Sequence, residues 1–145
     1  MDSLTAKDDT PQPVVVCLAA GLSQKPVIEL AKTLGFFVIG VDRDPQAAAG
    51  HLCDHMIHLS THDAKPLIQT LKNSIWSDRL CGVLNRSSGP PVVTTAAINE
   101  AFNLPGVPVD RARQCLNKDL MRGECLKRNI SVVRHQVIQE FSELC

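Results

Sequence analysis

The sequence predicts an α/β fold: a Rossmann-like, doubly wound parallel sheet of four or five strands with helices on both faces. Three observations carry that expectation. Val14 to Asp44, VVVCLAAGLSQKPVIELAKTLGFFVIGVDRD, reads as strand, turn, amphipathic helix and strand, which is one βαβ unit. Its first strand lies in a continuous apolar run, Val14 to Ala20, the pattern of a strand buried on both faces. Strand-like and helix-like segments then alternate along the chain. Sheets of this kind bind ligands at the carboxyl ends of their strands, so function is sought at that edge.

Each element has a local reason. Residues 1–13 read as a flexible tail ending at Pro11 and Pro13. Gly21 supplies a turn, and Ser23 can cap the helix that follows. Val27, Ile28, Leu30, Ala31 and Leu34 fall at helical spacing, with Glu29 and Lys32 outside. Gly35 ends that helix, and Phe37 to Val41 is the second strand. Asp42-Arg43-Asp44-Pro45 leaves the sheet, and residues 46–50 suggest a short helical turn.

His55 to Leu59 reads as a short third strand, and Asp63 to Ile75 as a helix with Leu67, Ile68 and Leu71 on one face. Leu80 to Leu84 is a fourth strand, Asn85 to Pro91 a loop, and Val92 to Phe102 a helix. Pro105 and Pro108 break the chain. Asp110 can cap a helix over Arg111 to Leu116, Lys118 to Arg128 is a further helix, and Ile130 to Ile138 is strand-like. No internal repeat or low-complexity segment interrupts this order.

Composition narrows the function classes. The chain of 145 residues is long enough for one domain with a real core. Fifteen basic residues balance fifteen acidic ones, so no global field draws nucleic acid or an anionic membrane. Aromatic residues make up 3% and Tyr is absent, so a stacking surface for single strands is poorly supplied. The N-terminus lacks a signal peptide's apolar core, and no apolar run approaches a membrane span. The six cysteines form no CxxC pair, which points to free thiols in a reducing compartment and a cytoplasmic location.

Several residue groups are candidates for chemistry. The turn at Gly21 lies between strand and helix, where backbone N–H groups favour an anion; the alternative is a plain βα turn. One glycine there is too few for a GxGxxG dinucleotide fingerprint. Asp42 and Asp44 stand where an acidic residue can hold a ribose hydroxyl, but Asp-Pro is also turn chemistry, and that reading is preferred. Arg86-Ser87-Ser88-Gly89 opens a helix and combines a forked donor, two hydroxyls and free N–H groups, a small anion nest that also suits a capped helix start.

His51, Cys53, Asp54, His55, His58 and His62 are a metal-like cluster, but His55 and His58 on a strand would point to opposite faces. Cys17 and Cys125 have no neighbouring His and read as bland thiols rather than nucleophiles. A phosphoacceptor receiver domain fails because the first strand ends in Ala-Ala-Gly rather than an acidic pair.

The pattern AAGLSQKPVIELAKTLGFFVIGVDRDPQAAAG, followed by Asp54 and GVLNRSSGP, resembles the N-terminal domain of ATP-grasp ligases. The segment NKDLMRGECLKRNISVVRHQVI resembles the junction into the first ATP-grasp subdomain. The likeness covers roughly residues 14 to 138 and is strongest toward carboxylate–amine ligases and related carboxylases. It implies a domain over 14–109, with linker helices and the first strand of a truncated subdomain over 110–145.

The resemblance implies ATP and Mg²⁺ as cofactors of the complete enzyme and Lys118 as a contact to ATP phosphates. It implies phosphorylation of a small-molecule carboxylate to an acylphosphate, which an amine or related nucleophile attacks. Gly21, Arg86, Ser87, Ser88 and Gly89 would form the substrate side. Such enzymes normally continue for about one further domain, which holds the flap, a second Lys, the adenine site and the Mg²⁺ ligands. The chain is therefore expected to be a truncated form without catalysis of its own. Two other expectations stand beside it: a non-catalytic module that binds a small anion, and a dimerisation module forming a homodimer.

Overall fold

The apolar run that begins at Val14 forms the centre of the sheet. In the computed structural model, which describes residues 11–138, β1 (Val14–Leu18) is buried along its whole length. β2 (Phe37–Val41) pairs with it in parallel on one side, from Val14 opposite Phe37 to Leu18 opposite Val41. β4 (Leu80–Leu84) pairs in parallel on the other side, and β3 (His55–Ile57) adds outside β2. The order is β3-β2-β1-β4, four parallel strands. The α/β fold read from the sequence is therefore present, with four strands among the described residues.

The period of two along β1 sorts its side chains between two cores. Val14, Val16 and Leu18 join Ile39, Leu67, Leu71 and Ile98 on one face. Val15 and Cys17 join Ile28, Ala31 and Val38 on the other. The first face is covered by α2 (Ala64–Lys72) and α3 (Pro90–Ala101), the second by α1 (Lys25–Thr33). Each fully buried aliphatic side chain contributes about 1.5–3 kcal/mol over its exposed state, so the double cover is what holds this sheet.

Local details differ from the sequence reading at identifiable points. Ser23 forms no cap: residues Leu22–Gln24 make a 3₁₀ turn that opens at Gly21 and leads into α1. Gly35 ends α1 at φ +85°, the left-handed geometry expected of it. Leu30 and Leu34 are exposed, so the buried stripe of α1 is narrower than its apolar stripe; both lie beside β4, beyond which the described residues place no further strand. β3 stops at Ile57. Asp54 stands just before it, takes the Val38 N–H at 2.8 Å and pairs with Lys32. Burial raises the Asp54 pKa, but the Lys32 and Val38 hydrogen bonds outweigh that and hold it below the usual carboxylate value.

Beyond α3 the chain makes two helices, α4 (Val109–Leu116) and α5 (Lys118–Lys127). Asp110 does not cap α4. It lies in the first turn, Pro108 stands at the cap, and the Val109 N–H is taken by Glu100 Oε1 at 2.7 Å. Asn117 caps α5, its Oδ1 accepting from the N–H groups of Asp119 and Leu120.

The strand expected over Ile130 to Ile138 does not form; residues 130–138 take no regular structure. A strand needs a partner for its N–H and C=O groups, and the described residues offer none there. Residues 1–10 of the expected tail and 139–145 of the expected subdomain lie outside the described residues.

Candidate functional site

Parallel strands deliver their loops to one edge, and here β1 and β4 are neighbours. β1 leaves the sheet through Ala19, whose φ of +73° is unusual for a residue with a side chain. The next two links fix that departure. The Ala19 N–H donates to Val41 O at 2.9 Å, and the Ala20 N–H donates to Asp42 Oδ2 at 3.0 Å. Asp42 Oδ1 accepts the Asp44 N–H at 3.0 Å, and Asp44 Oδ1 accepts the Gln46 N–H at 2.9 Å. Asp42 and Asp44 are thus occupied in turn formation, the preferred reading of that pair.

The element that organises the edge is Gln24, which the sequence reading did not single out. It is 1% exposed, at the end of the Gly21 turn. Its Nε2 donates to Ser87 Oγ at 3.3 Å, and its Oε1 accepts the Arg86 N–H at 3.1 Å. Arg86 answers from the other loop, its Nη1 donating to Ser23 O at 2.8 Å. Asn85 Oδ1 accepts the Ser87 N–H at 2.7 Å. The turn after β1 and the loop after β4 are therefore clamped into one surface that carries Gly21, Arg86, Ser87, Ser88 and Gly89. The signal in the sequence is positional: Gln24 lies four residues before Ile28, on the inward face of the coming helix.

The expected anion nest is smaller than the sequence suggests. The Arg86 and Ser87 N–H groups already have acceptors, and Pro90 and Pro91 have none to give. Ser88 does not cap α3; Gly89 holds the cap position at φ +78° and ψ −148°, a conformation open to glycine alone. What remains for an anion is the Arg86 guanidinium, the exposed Ser88 and the N–H groups of Ser88 and Gly89.

Solved structures with this fold are known. Phosphoribosylglycinamide synthetase from Anaerococcus prevotii superposes with a TM-score of 0.76 at 25% identity, over 92% of this chain and 33% of that one. N5-carboxyaminoimidazole ribonucleotide synthetase from Thermotoga maritima gives 0.68 at 18%, over 91% and 35%. L-amino acid ligase from Bacillus licheniformis gives 0.65 at 21%, over 83% and 31%. This chain has the fold of the N-terminal portion of ATP-grasp ligases. It spans about a third of the length of those solved chains. No protein-family model and no curated protein matches the sequence.

The other residues tied to the ATP-grasp resemblance are placed elsewhere. Lys118 is the exposed first residue of α5, which packs on α4, and forms no ion pair among the described residues. The structure does not bring it to the Gly21 and Arg86 surface by any described contact. Among the described residues no group of three or more His, Cys, Asp or Glu is placed to hold a metal ion.

In the cluster around Cys53 the histidines His51, His55, His58 and His62 are exposed. His55 lies against Trp76 with ring centroids 4.5 Å apart, and Cys53 packs behind Gly40. Burial, with Cys53 nearby, pushes the Cys17 thiol up to about 12. Burial and the Asp54 charge push Cys53 up to about 11. Burial thus disfavours the thiolate, the nucleophilic form, at both.

A hollow of about 310 Å³ lies beside the clamp, between β4, α3 and the turn at Gly106 and Val107. Ser87 and Asn85 stand on its rim.

Proposed function

We propose that this chain forms the acceptor-side wall of an ATP-grasp-type ligase system. The carrying observation is the Gln24 clamp, which joins the turn after β1 to the loop after β4 and presents Arg86, Ser88 and Gly89 together. Arg86 is a fork-shaped donor suited to a carboxylate or phosphate, and the neighbouring N–H groups add directionality. The substrate class is a small-molecule carboxylate. In the complete enzyme ATP would convert it to an acylphosphate, and an amine or thiol would displace the phosphate. Lys118 is proposed as the phosphate-contacting lysine of that enzyme. The metal ligands and remaining phosphate contacts of phosphoryl transfer would come from other residues of that enzyme.

The test is calorimetric titration of the chain with acetate, inorganic phosphate and Mg²⁺-ATP, beside an Arg86→Ala variant. The reading expects weak anion binding that falls by about tenfold in the variant, the loss of one charge-assisted hydrogen bond. It expects no tight Mg²⁺-ATP binding. Anion binding unchanged by Arg86→Ala would remove the acceptor wall, and tight ATP binding would place the nucleotide on this chain alone.

A second reading, an association module, is favoured by one observation. Leu120, Leu126, Ile130, Val133 and Val137 are all exposed along α5 and the segment after it. Apolar side chains left exposed in this number suit contact with another chain. Sedimentation across a concentration series separates the readings: a mass constant at that of the monomer removes this one.

A further inference from the structure

A second hollow, of about 440 Å³, opens between the start of α2, α3 and α4. None of Gly21, Arg86, Ser87, Ser88 and Gly89 borders it. One of its walls carries a polar side chain that the fold leaves unpaired. Thr94, on α3, is 2% exposed, and its hydroxyl makes no hydrogen bond among the described residues, whereas that of Thr95 donates to Pro91 O at 2.9 Å. The Thr94 hydroxyl is not sealed in either. Among the described residues, Asn99 Oδ1 is the one side-chain nitrogen or oxygen that is both shut from solvent and unpaired. An unpaired hydroxyl outside that case keeps an open side, and the open space that Thr94 borders is this hollow.

The start of α2 borders the same space. Ala64 and Lys65 both line it, and as the first two residues of α2 they have N–H groups without a partner inside the helix. Asp63 stands at the cap position, but its side chain caps nothing. Pro66 has no N–H to add, so Ala64 and Lys65 supply the donors at this positive helix end. Lys65 and Arg113 bring two cationic side chains to the hollow, and neither forms an ion pair among the described residues. Asp63 is the one carboxylate there, so positive charge is in excess.

The remaining walls define the rest of the ligand. Val93, Ala97 and Leu116 are apolar, and the volume is that of a small organic molecule rather than of a bare anion. A phosphate monoester carries about −1.5 to −2 charges at pH 7 and three acceptor oxygens, and helix N-termini hold such groups through their free N–H donors. We propose that this hollow binds a small phosphate monoester. Its phosphate lies on the Ala64 and Lys65 N–H groups, the Thr94 hydroxyl and the Lys65 and Arg113 side chains; its organic part lies on Val93, Ala97 and Leu116. The assignment stands independently of the ligase reading, because the two surfaces share no residue.

The test uses the full chain and three probes: phenyl phosphate, inorganic phosphate, which has no organic part, and benzoate, which has the ring but a carboxylate in place of the phosphate. The readouts are the backbone amide signals of Ala64 and Lys65 and the Thr94 methyl in a nuclear magnetic resonance titration. Phenyl phosphate is expected to give saturable shifts there, with benzoate about tenfold weaker, the worth of one hydrogen bond to a charged group, and inorganic phosphate weaker than the ester. Thr94→Val exchanges the unpaired hydroxyl for a methyl of similar size and is expected to weaken phenyl phosphate about tenfold. Should that variant fail to fold, Arg113→Gln decides, because Arg113 is exposed; it is expected to weaken binding by at least as much. Failure here is distinct from failure of the acceptor wall: Arg86→Ala tests the clamp, while the Ala64 and Lys65 signals report on this hollow. The assignment is overturned if phenyl phosphate gives no saturable shift at Ala64 and Lys65, if benzoate or inorganic phosphate binds as tightly as the ester, or if either variant binds it like the parent.

Discussion

Gln24 is a buried amide whose two ends face two loops, so its removal has two costs. Replacing it with leucine leaves the Arg86 N–H without its acceptor and the Ser87 hydroxyl without its donor. A loss of about 1–3 kcal/mol is expected, read as a lower urea midpoint with an unchanged slope. Asp54 carries a pH signature. Its folded pKa lies below its unfolded value, so its contribution to stability is present above the unfolded pKa and fades as pH falls through the folded one. Asp54→Asn should therefore lower stability at pH 7 and flatten the loss of stability on acidification, as measured by thermal melts from pH 7 to about 3. A variant whose acid limb matches the parent's would show that Lys32 and Val38 do not stabilise the charged form. The partners of neither residue could be read from sequence. Both act through partners 16 or more positions away, which only the pairing of strands brings near.

At the scale of elements, the strands were legible where burial alone decides them. Phe37 to Val41 and Leu80 to Leu84 form as read, because a short apolar run next to β1 has one low-energy place to go. The failures are of a different kind. Residues 130–138 alternate like a strand but have no described edge to join, and periodicity carries no information about partners. Ser23 and Asp110 are good caps by residue type, yet a 3₁₀ turn and the Glu100 side chain supersede them. The packing of β2 against β3 also makes a demand. A Cβ on Gly40 would stand 2.5 Å from Met56 Sδ and 2.6 Å from Cys53 Sγ. Gly40→Ala is expected to cost about 1–3 kcal/mol by overpacking, and pairing it with Met56→Ala should recover part of that loss in chemical denaturation.

For the whole molecule, protection should decrease from the sheet outward. β1 is buried from end to end between two paired strands, whereas residues 130–138 are largely exposed and without regular structure. Native-state hydrogen exchange is expected to be slowest at Val15 to Cys17 and fast across 130–138; comparable protection in both would mean the C-terminal segment is held by contacts beyond those described. The site was half visible in the sequence on the same scale. The loops at Gly21 and Arg86 could be assigned to one edge from the order of elements, because doubly wound sheets present their loops there. The clamp and the hollow could not, since each depends on β4 lying directly beside β1.

That placement of β4 also bears on how the chain is made. β1 precedes the other described elements along the chain, yet it is central, and one of its two flanks stays open until Leu84 has been synthesised. The contacts between Gln24 and Arg86 join positions 62 residues apart, so they are among the later ones available to a growing chain. A nascent chain ending before β4 would expose one edge of its own central strand, together with an amide that has nothing to hold. The surface proposed for ligands therefore completes only once β4 has been made, and a translational pause ahead of Leu80 would extend the interval in which that open edge can pair with the wrong chain.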